Sequence, residues 1–321
     1  MTVVRFERGL FAEVRFGASA MIDVSCAARL TLDPEAQPGA LEPWWRRARA
    51  AVARVDLPLT AALHAPGRYV PDFLVSKPGH RPSLLADLRA LVALDPVVVR
   101  RGLAFAYPDA LPADLRVLRS RPAVGLGRLA RELALFARLT LGGTRWLPLR
   151  GLSAAEAWRR GQLLASAGAR VALVEPIPGI TIRDDALVVH DGRELEVRPS
   201  LEGFWLVPSP FAPQPPPVTL DPDSHGGIAY VPPGVAQATY PSADDALAAL
   251  LGRTRARLLR ALVTPACTSE LAALLGLAPS TVSEHLGALR SAGLVTGERA
   301  GRVVSYALAA RGRRLLAVFA D

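Results

Sequence analysis

Between residues 254 and 293, leucines and other apolar residues recur at helical spacing in three short segments separated by turn residues. The first helix is expected to end before Pro265, Gly276 permits a turn after the second, and Gly293 closes the third. Thr254 and Thr268 are expected to cap the first two helices. The inward-facing residues are Leu258, Leu259, Leu262, Leu271, Leu274, Leu275, Val282, Leu286 and Leu289. This pattern predicts one helix followed by a helix-turn-helix.

The third helix combines an apolar arc with a polar face. Pro279, which is tolerated in a first helical turn, opens it, and the side opposite the apolar arc carries Ser280, Glu284 and Gly287. A helix fits the major groove of DNA, and short hydroxyl groups near its N-terminus can approach phosphates and base edges. Ser280 and Ser283 have that chemistry, so the polar face is predicted to meet DNA.

A hairpin is predicted after Gly293. Residues 294–296 and 303–308 have the composition of β-strands, and the loop between them holds Glu298, Arg299, Gly301 and Arg302. We interpret this loop as a basic wing.

These features together, with Ser280-Thr-Val-Ser-Glu-His-Leu286 and Ala292-Gly-Leu-Val295, closely resemble the winged-helix repressors of the ArsR/SmtB family over roughly residues 254–308. The preceding region, with Trp44-Trp45, Tyr69-Val-Pro-Asp-Phe73 and Leu206-Val-Pro-Ser-Pro-Phe211, resembles a subgroup from high-GC bacteria that carries a large N-terminal domain of unsettled role. The resemblance implies a homodimeric regulator, most simply a repressor, that binds double-stranded operator DNA.

The resemblance also implies which residues contact DNA. The family positions held here by Pro279, Ser280, Ser283 and Glu284 approach the major groove, and wing residues matching Arg299 and Arg302 contact the minor groove or the backbone. The predicted DNA-binding set is Thr268, Pro279, Ser280, Thr281, Ser283, Glu284, Arg290, Arg299 and Arg302.

Two of these positions depart from the family pattern. Pro279 stands where a side-chain amide often lies, which removes one possible base contact. Glu284 is acidic where a neutral or basic residue is usual, so it repels phosphate unless it accepts from a cytosine amino group or pairs with an arginine.

Metal sensing is the best-known activity of that family, and it requires clustered thiolates or imidazoles. At the family thiolate position this chain has only Cys267, while Cys26 is distant in sequence and residues 310–319 contain no His, Asp or Glu. We therefore expect no metal and no cofactor. Both cysteines are interpreted as small buried apolar residues.

The net charge of +9 is concentrated near the C-terminus. Residues 251–320 hold ten arginines against three glutamates, a net charge of +7. A basic surface attracts a polyanion, which supports a nucleic-acid partner, although many arginines on any helix are merely solvated.

The chain of 321 residues is too long for a winged-helix domain alone. Two domains are therefore predicted, residues 1–241 and residues 242–321. The overall class is α+β, with a C-terminal winged helix-turn-helix after a mostly helical domain that has a small antiparallel sheet. Helices are expected at 11–30, 43–54, 83–94, 113–119, 126–141 and 153–167. A β-hairpin is expected at 186–197 around Asp191-Gly192, and a strand at 203–207.

Nine prolines lie in residues 208–233. Because proline has no backbone N–H to donate, no helix is expected in this segment and any strand is expected at the edge of a sheet. It is either a flexible linker or an extended arm packed on the sheet. Its apolar anchors favour the arm, and these are Phe211, Val218, Leu220, Ile228, Tyr230 and Val231. A helix from Ser242, with Leu247, Leu250 and Leu251 inward, is expected to join the two domains.

The N-terminal domain is predicted to sense a ligand or to hold a dimer. Aromatic residues there form either a pocket for an apolar or aromatic small molecule, whose acidic group nearby arginines would bind, or the core. The candidate ligand-binding residues are Trp44, Trp45, Tyr69, Phe73 and Trp205. A protein partner is the alternative. A closed cavity would favour the ligand and an exposed apolar patch the partner.

An enzyme is the rival class. The sole lysine lies in Ser76-Lys77-Pro78, which excludes a P-loop, and the chain has neither a Gly-x-Ser-x-Gly nor a His-Glu-x-x-His motif. These motif absences leave only an active site assembled from dispersed residues, so we expect that the protein is not an enzyme.

The N-terminus has no signal-peptide pattern, and no apolar run approaches the roughly 20 residues of a membrane span, so a cytoplasmic protein is expected.

Overall fold

The computed structural model describes residues 1–6, 14–75, 78–79, 82–142, 147–174, 177, 179–183, 186–192, 194–198, 203–219, 226–239, 246–300 and 303–319. Contacts divide the chain into two compact units. The N-terminal unit comprises residues 1–142 and 152–239, and the C-terminal unit comprises residues 143–151 and 240–321.

The N-terminal unit begins with two short strands, continues with a series of helices and has its remaining strands after residue 179. Its elements up to residue 140 are β1 (Thr2–Arg5), β2 (Val14–Phe16), α1 (Ala20–Leu32), α2 (Glu42–Val52), α3 (Pro58–Leu63), α4 (Leu84–Val92), α5 (Pro96–Ala106), α6 (Arg116–Ser120) and α7 (Pro122–Thr140). Then follow the part of α8 (Leu147–Val174) from residue 152 on, β3 (Ile180–Arg183), β4 (Ala186–Val189), β5 (Leu195–Val197), β6 (Phe204–Pro208), β7 (Gly227–Tyr230) and α9 (Val235–Thr239). Helix α8 is interrupted at Gly168, where φ is 83°.

Side-chain caps explain where several helices begin. Ser83 Oγ accepts from Ala86 N at 3.4 Å, which confirms the predicted start of α4, and Asp95 caps α5 just before Pro96. The helices expected at 43–54, 83–94, 126–141 and 153–167 are present with shifted ends, and of the helix expected at 113–119, residues 113–115 form a 3-10 turn that leads into α6. Helices α3 and α5 were not expected. Helix α3 has only six residues, and α5 buries Val99, Leu103 and Ala106 at a helical spacing that the sequence interpretation missed.

The helix expected at 11–30 is wrong in its first part. Val14 and Phe16 are buried while Arg15 is exposed, so residues 14–16 form strand β2. Ser19 then caps α1 by accepting from Ile22 N at 3.1 Å. The cap stops the helix from extending back into the strand. Residues 11–13 lie outside the described residues.

The first sheet has the strand order β3-β4-β1-β5. Strand β4 pairs antiparallel with β1 and β3, and β5 pairs parallel with β1. The predicted hairpin of β4 and β5 is therefore wrong, because β1 lies between the two strands. Asp191, from the expected turn, instead accepts from Thr2 N at 3.1 Å and from Thr2 Oγ1 at 2.5 Å. These bonds hold β1 in place.

The second sheet has the order β2-β6-β7, and all its pairs are parallel. Both sheets bury one apolar core, which includes Val4, Phe16, Leu187, Phe204, Leu206 and Ile228. The α+β class is thus confirmed, although the sheets are mixed and parallel rather than one small antiparallel sheet.

The proline-rich segment is an ordered arm in its described parts, residues 208–219 and 226–233. Phe211, Val218 and Tyr230 are buried, and Val218 forms a β-bridge with Ile228. Strand β7 is the last strand of its sheet and contains no proline, whereas Pro208 ends the central strand β6, beyond the residues that pair with β2. Leu220 lies outside the described residues.

The C-terminal unit is a winged helix-turn-helix. Its elements after residue 245 are α10 (Ala246–Leu251), α11 (Arg253–Ala261), β8 (Ala266–Cys267), α12 (Thr268–Leu275), α13 (Pro279–Ser291), β9 (Val295–Ala300), β10 (Val303–Leu308) and α14 (Ala310–Val318). Its buried core confirms most of the predicted inward-facing positions and contains Leu258, Leu259, Leu262, Leu271, Leu275, Val282, Leu286 and Leu289.

Two details near the start of this unit correct the prediction. Thr254 lies inside α11, which follows Gly252 without a side-chain cap, because the positive φ of 82° at Gly252 separates it from α10. Leu250 is 63% exposed and does not face inward, whereas Leu247 is buried. Residues 242–245 lie outside the described residues. Among the helices that the structure describes, none is both long and apolar enough to cross a membrane.

Candidate nucleic-acid interface

The first helix of the helix-turn-helix, α12, begins at a cap that the sequence did not indicate. Cys267 occupies the N-cap, and Glu270 Oε2 accepts from its backbone N–H at 2.8 Å. The prediction that Thr268 is the cap is wrong, because Thr268 is the first helical residue. Gly276 ends α12 in the left-handed conformation with φ of 66°, as predicted.

The second helix, α13, separates a buried face from an exposed one. Val282 and Leu286 are completely buried, and Leu289 is 1% exposed. On the other side, four predicted contact residues are exposed to solvent and one, Thr281, is half-buried. The exposed residues are Pro279, Ser280, Ser283 and Glu284. The N-terminal half of α13 therefore presents hydroxyls and one carboxylate to solvent, above a core of short leucine-rich helices.

The wing is a longer hairpin than the sequence indicated. Strand β9 extends to Ala300, and Arg299 pairs with Val304 of β10. Arg299 is thus an exposed strand residue and does not lie in a loop. Arg302, which was also predicted to contact DNA, lies outside the described residues.

A third strand, missed by the sequence interpretation, ties the wing to the start of α12. Strand β8 has two residues, and its Ala266 and Cys267 pair antiparallel with Tyr306 and Ser305 of β10. Two residues are too few to show an alternating pattern. Cys267 is half-buried here, in contrast to the buried position expected for it.

The arginines of this unit serve different purposes. Arg257 donates to Leu275 O at 3.1 Å, Arg311 to Ala292 O at 3.2 Å and Arg313 to Leu308 O at 2.7 Å. Such bonds satisfy carbonyls at the ends of helices and strands. Arg290 on α13 and Arg299 on the wing are exposed. The basic character of the C-terminal unit is therefore partly structural, and these two arginines are the ones closest in sequence to the exposed face of α13.

The predicted ligand-binding aromatics do not form one group. Trp44 is completely buried, donates from Nε1 to Thr140 O at 2.9 Å and packs on Phe211. Trp45 donates to Leu30 O at 2.9 Å. Trp44 is therefore packed inside the N-terminal unit, whereas Trp45 is half-buried and has the Arg49 guanidinium 4.8 Å from its ring centroid.

Of the other three aromatic candidates, Tyr69 and Trp205 line a cavity and Phe73 does not. Its ring packs so closely on Gly102 that a Cβ there would lie 2.8 Å from Phe73 Cδ1. Tyr69 and Trp205 line a cavity of about 390 Å³ within the N-terminal unit. Ser25, Cys26 and Arg29 of α1 also line it, and no sequence motif distinguished them.

Residues 253–296 match the family described as bacterial regulatory protein, arsR family. The HTH-type transcriptional regulators CmtR of Mycobacterium bovis and Mycobacterium tuberculosis are each 52% identical to the chain over 62 residues. This match covers 19% of the chain and 52% of each relative, so the chain spans about half the length of the curated relatives it matches. No solved structure matches the chain.

The matched residues coincide with α11, α12, α13 and the first residues of β9. They contain the leucine core, the left-handed turn at Gly276 and the exposed face of α13. Residues 253–296 therefore match an ArsR-family helix-turn-helix domain, as the sequence resemblance predicted.

Proposed function

We propose that this protein is a sequence-specific DNA-binding transcriptional regulator that reads its operator with α13 and the wing. The observation that carries this proposal is the exposed N-terminal half of α13 within an ArsR-family domain. Exposed Ser280 and Ser283 are small enough to let the helix approach base edges closely, and the free N–H groups of a helix N-terminus suit phosphate.

The other predicted residues have supporting roles in this proposal. Glu284 lies one turn after Ser280 on the same face, where it can accept from a cytosine amino group. Arg290, Arg299 and Arg302 are proposed to contact the DNA backbone or the minor groove, which positions the protein without specifying sequence. Thr268 and Thr281, both half-buried, would contribute hydroxyl contacts to phosphate.

We further propose that the protein acts as a homodimeric cytoplasmic repressor. Helix-turn-helix dimers bind two half-sites about one helical turn apart, so the symmetry of the operator matches that of the dimer. A single α13 helix covers one half-site only. Selective binding to an operator therefore favours a dimer.

The N-terminal unit is proposed to receive the signal, most simply a small molecule. The cleft of about 390 Å³ lined by Tyr69 and Trp205 supports a small-molecule ligand, because its volume is in the range of small-molecule sites. The ligand would control transcription only if it binds the DNA-competent and incompetent states with different affinities.

The test is binding of the full chain to DNA from upstream of its own gene and to sites selected from a random pool. We expect selective binding that weakens steeply with salt. Ser280→Ala combined with Ser283→Ala should lower affinity for the selected site about tenfold or more, and non-specific binding should change little. Ser291→Ala is the matched control, because Ser291 is exposed at the opposite end of α13. Failure to enrich any site with folded protein would contradict the proposal.

A further inference from the structure

The partly open cavity in the N-terminal unit is lined by α1, the segment around Tyr69, strands β6 and β7, and the proline-rich arm. Its volume of about 390 Å³ is in the range of small-molecule sites. Most of its wall is apolar, and the aliphatic residues include Ile22, Val207, Val218 and Ile228. Such a wall favours an aromatic or alicyclic ligand.

Ser25 gives this wall a hydrogen-bond acceptor. His64 is completely buried, and burial lowers its pKa to about 4, so its ring is neutral at pH 7. Its Nδ1 lies 2.8 Å from Thr60 O, which can only accept, so Nδ1 carries the proton. Its Nε2, 2.7 Å from Ser25 Oγ, must then accept from the serine hydroxyl. The Ser25 oxygen is left to accept from a group in the cavity.

Trp205 gives the same wall an aromatic surface. The indole is held firmly, since a Cβ at Gly17 would lie 2.8 Å from Trp205 Cζ3. Its Nε1 finds no acceptor among the residues that the structure describes, but this atom is itself fully buried, so a ligand in the cavity meets the ring and not the N–H.

The charges around the cavity favour a neutral ligand. Among the described residues that line it, the guanidinium groups of Arg29 and Arg68 are balanced by three aspartates, Asp33, Asp72 and Asp191. Asp72 already accepts from Tyr69 Oη, and Asp191 from Thr2. The acidic ligand suggested by the sequence therefore has no excess of positive charge to bind it.

Neither reaction at the Cys26 thiol nor general-base catalysis by His64 is favoured at this wall. Burial, and to a smaller extent the nearby Asp23 carboxylate, raises the pKa of the Cys26 thiol to about 12. The thiol is therefore a poor nucleophile and a poor metal ligand at pH 7. His64, with its lowered pKa, is likewise a weak general base for Ser25.

We propose that this cavity binds a neutral, largely aromatic small molecule that has a hydroxyl group donating to Ser25 Oγ. The inference rests on the proposed regulatory function, for which it names the chemical class of the effector. It does not depend on how the operator is read.

The test measures binding of 6-hydroxyflavone, flavone and flavone-6-carboxylate to the full chain by calorimetry at pH 7. The hydroxyflavone should bind about tenfold more tightly than flavone, which lacks the hydroxyl donor, and the carboxylate should bind most weakly. Equal affinity for the first two ligands, preference for the carboxylate, or no binding to folded protein would each overturn the proposal.

A variant tests the polar contact. Ser25→Ala should reduce affinity for 6-hydroxyflavone about tenfold and leave flavone binding unchanged. Ser166→Ala, at an exposed serine whose Oγ donates to Gln162 O, is the control. If Ser25→Ala fails to fold, the comparison of ligands on the wild-type protein still decides.

DNA binding, measured on the same protein by fluorescence anisotropy, distinguishes this inference from the proposed function. Selective DNA binding without flavone binding would overturn the ligand site and leave the regulator standing. Flavone binding in the expected order, with no selective DNA binding under any condition, would support the site and contradict the regulatory function.

Discussion

In the C-terminal unit, three short helices share one leucine-rich core, whereas in the N-terminal unit Thr2 and Asp191 form hydrogen bonds across 189 positions of sequence. The leucine-rich core of the first unit comes from one stretch of the chain, residues 258–308. The second unit depends on strands that long helical segments separate in sequence. The comparison teaches that periodicity identifies the first kind of structure readily and gives little information on the second.

Polar groups have different places in the two units as well. The C-terminal unit leaves its hydroxyls and Glu284 exposed on α13. The N-terminal unit buries a charged cluster in α8, where Glu156 pairs with Arg160 at 2.8 Å and Arg160 donates to Ala172 O at 2.6 Å, beyond the interruption at Gly168. Exposed polar groups are available to a partner, while the buried cluster serves to hold the chain.

The largest expected effect comes from breaking that cluster. Glu156→Ala leaves the buried Arg160 guanidinium without this counter-charge and should lower the free energy of unfolding by about 3–5 kcal/mol. Urea unfolding followed by circular dichroism measures the loss. Arg46→Ala, which removes an exposed pair with Glu42 on α2, should cost at most about 1 kcal/mol. Similar losses for both variants would refute the structural role of the cluster.

The C-terminal unit should respond to loss of an apolar contact instead. Leu286→Ala removes a completely buried side chain from α13 and should cost about 2–5 kcal/mol of stability. Leu250→Ala makes the same chemical change at a leucine that is 63% exposed, and a loss under about 0.5 kcal/mol is expected. Urea unfolding of both variants gives the comparison. A large effect at Leu250 would show that α10 is covered in solution.

A smaller effect tests the strand order of the N-terminal unit. Asp191→Ala leaves Thr2 N–H and Oγ1 without their acceptor and should cost about 1–3 kcal/mol. Glu196→Ala, in the neighbouring strand β5, removes only exposed ion pairs with Arg5 and Arg198 and should cost less than about 1 kcal/mol. If Asp191 merely closed a local hairpin, hydrogen exchange at β1 would not change in the variant.

The smallest effect concerns the wing. Arg299→Ala should weaken DNA binding by about 1 kcal/mol for all sequences alike and should lower the slope of log affinity against log salt by about one. Anisotropy titrations at several salt concentrations measure both quantities. Arg46→Ala, outside the C-terminal unit, is the control. Unchanged affinity and slope in Arg299→Ala would place the wing away from DNA.

Much of the C-terminal unit could be predicted because its signals are local. Leucine spacing, the glycines at 276 and 293 and the serines at 280 and 283 specify helices, turns and an exposed face within about forty residues. The cap at Cys267 and strand β8 could not be predicted, since a cysteine is an unusual cap and two residues show no period. The operator contacts themselves stay a prediction.

The N-terminal cavity could not be predicted from its residues. Ser25, Tyr69 and Trp205 come from distant segments, and each has an ordinary role when considered alone. Of the five aromatic candidates, Trp44 and Trp45 are accounted for by packing and by bonds to carbonyls. Composition alone does not distinguish a buried indole that has a partner from one that lacks it.

By itself, the sequence determined the α+β class, the helix-turn-helix with its family resemblance, most helices and the apolar anchors of the proline-rich arm, because periodicity, caps and glycines act over a few residues. Only the tertiary structure decided that β1 separates β4 from β5, that β2 joins a parallel sheet and that Ser25 and Trp205 line one cavity. Those arrangements depend on which distant segments compete successfully for the same hydrogen bonds and the same core, and no local pattern contains that information.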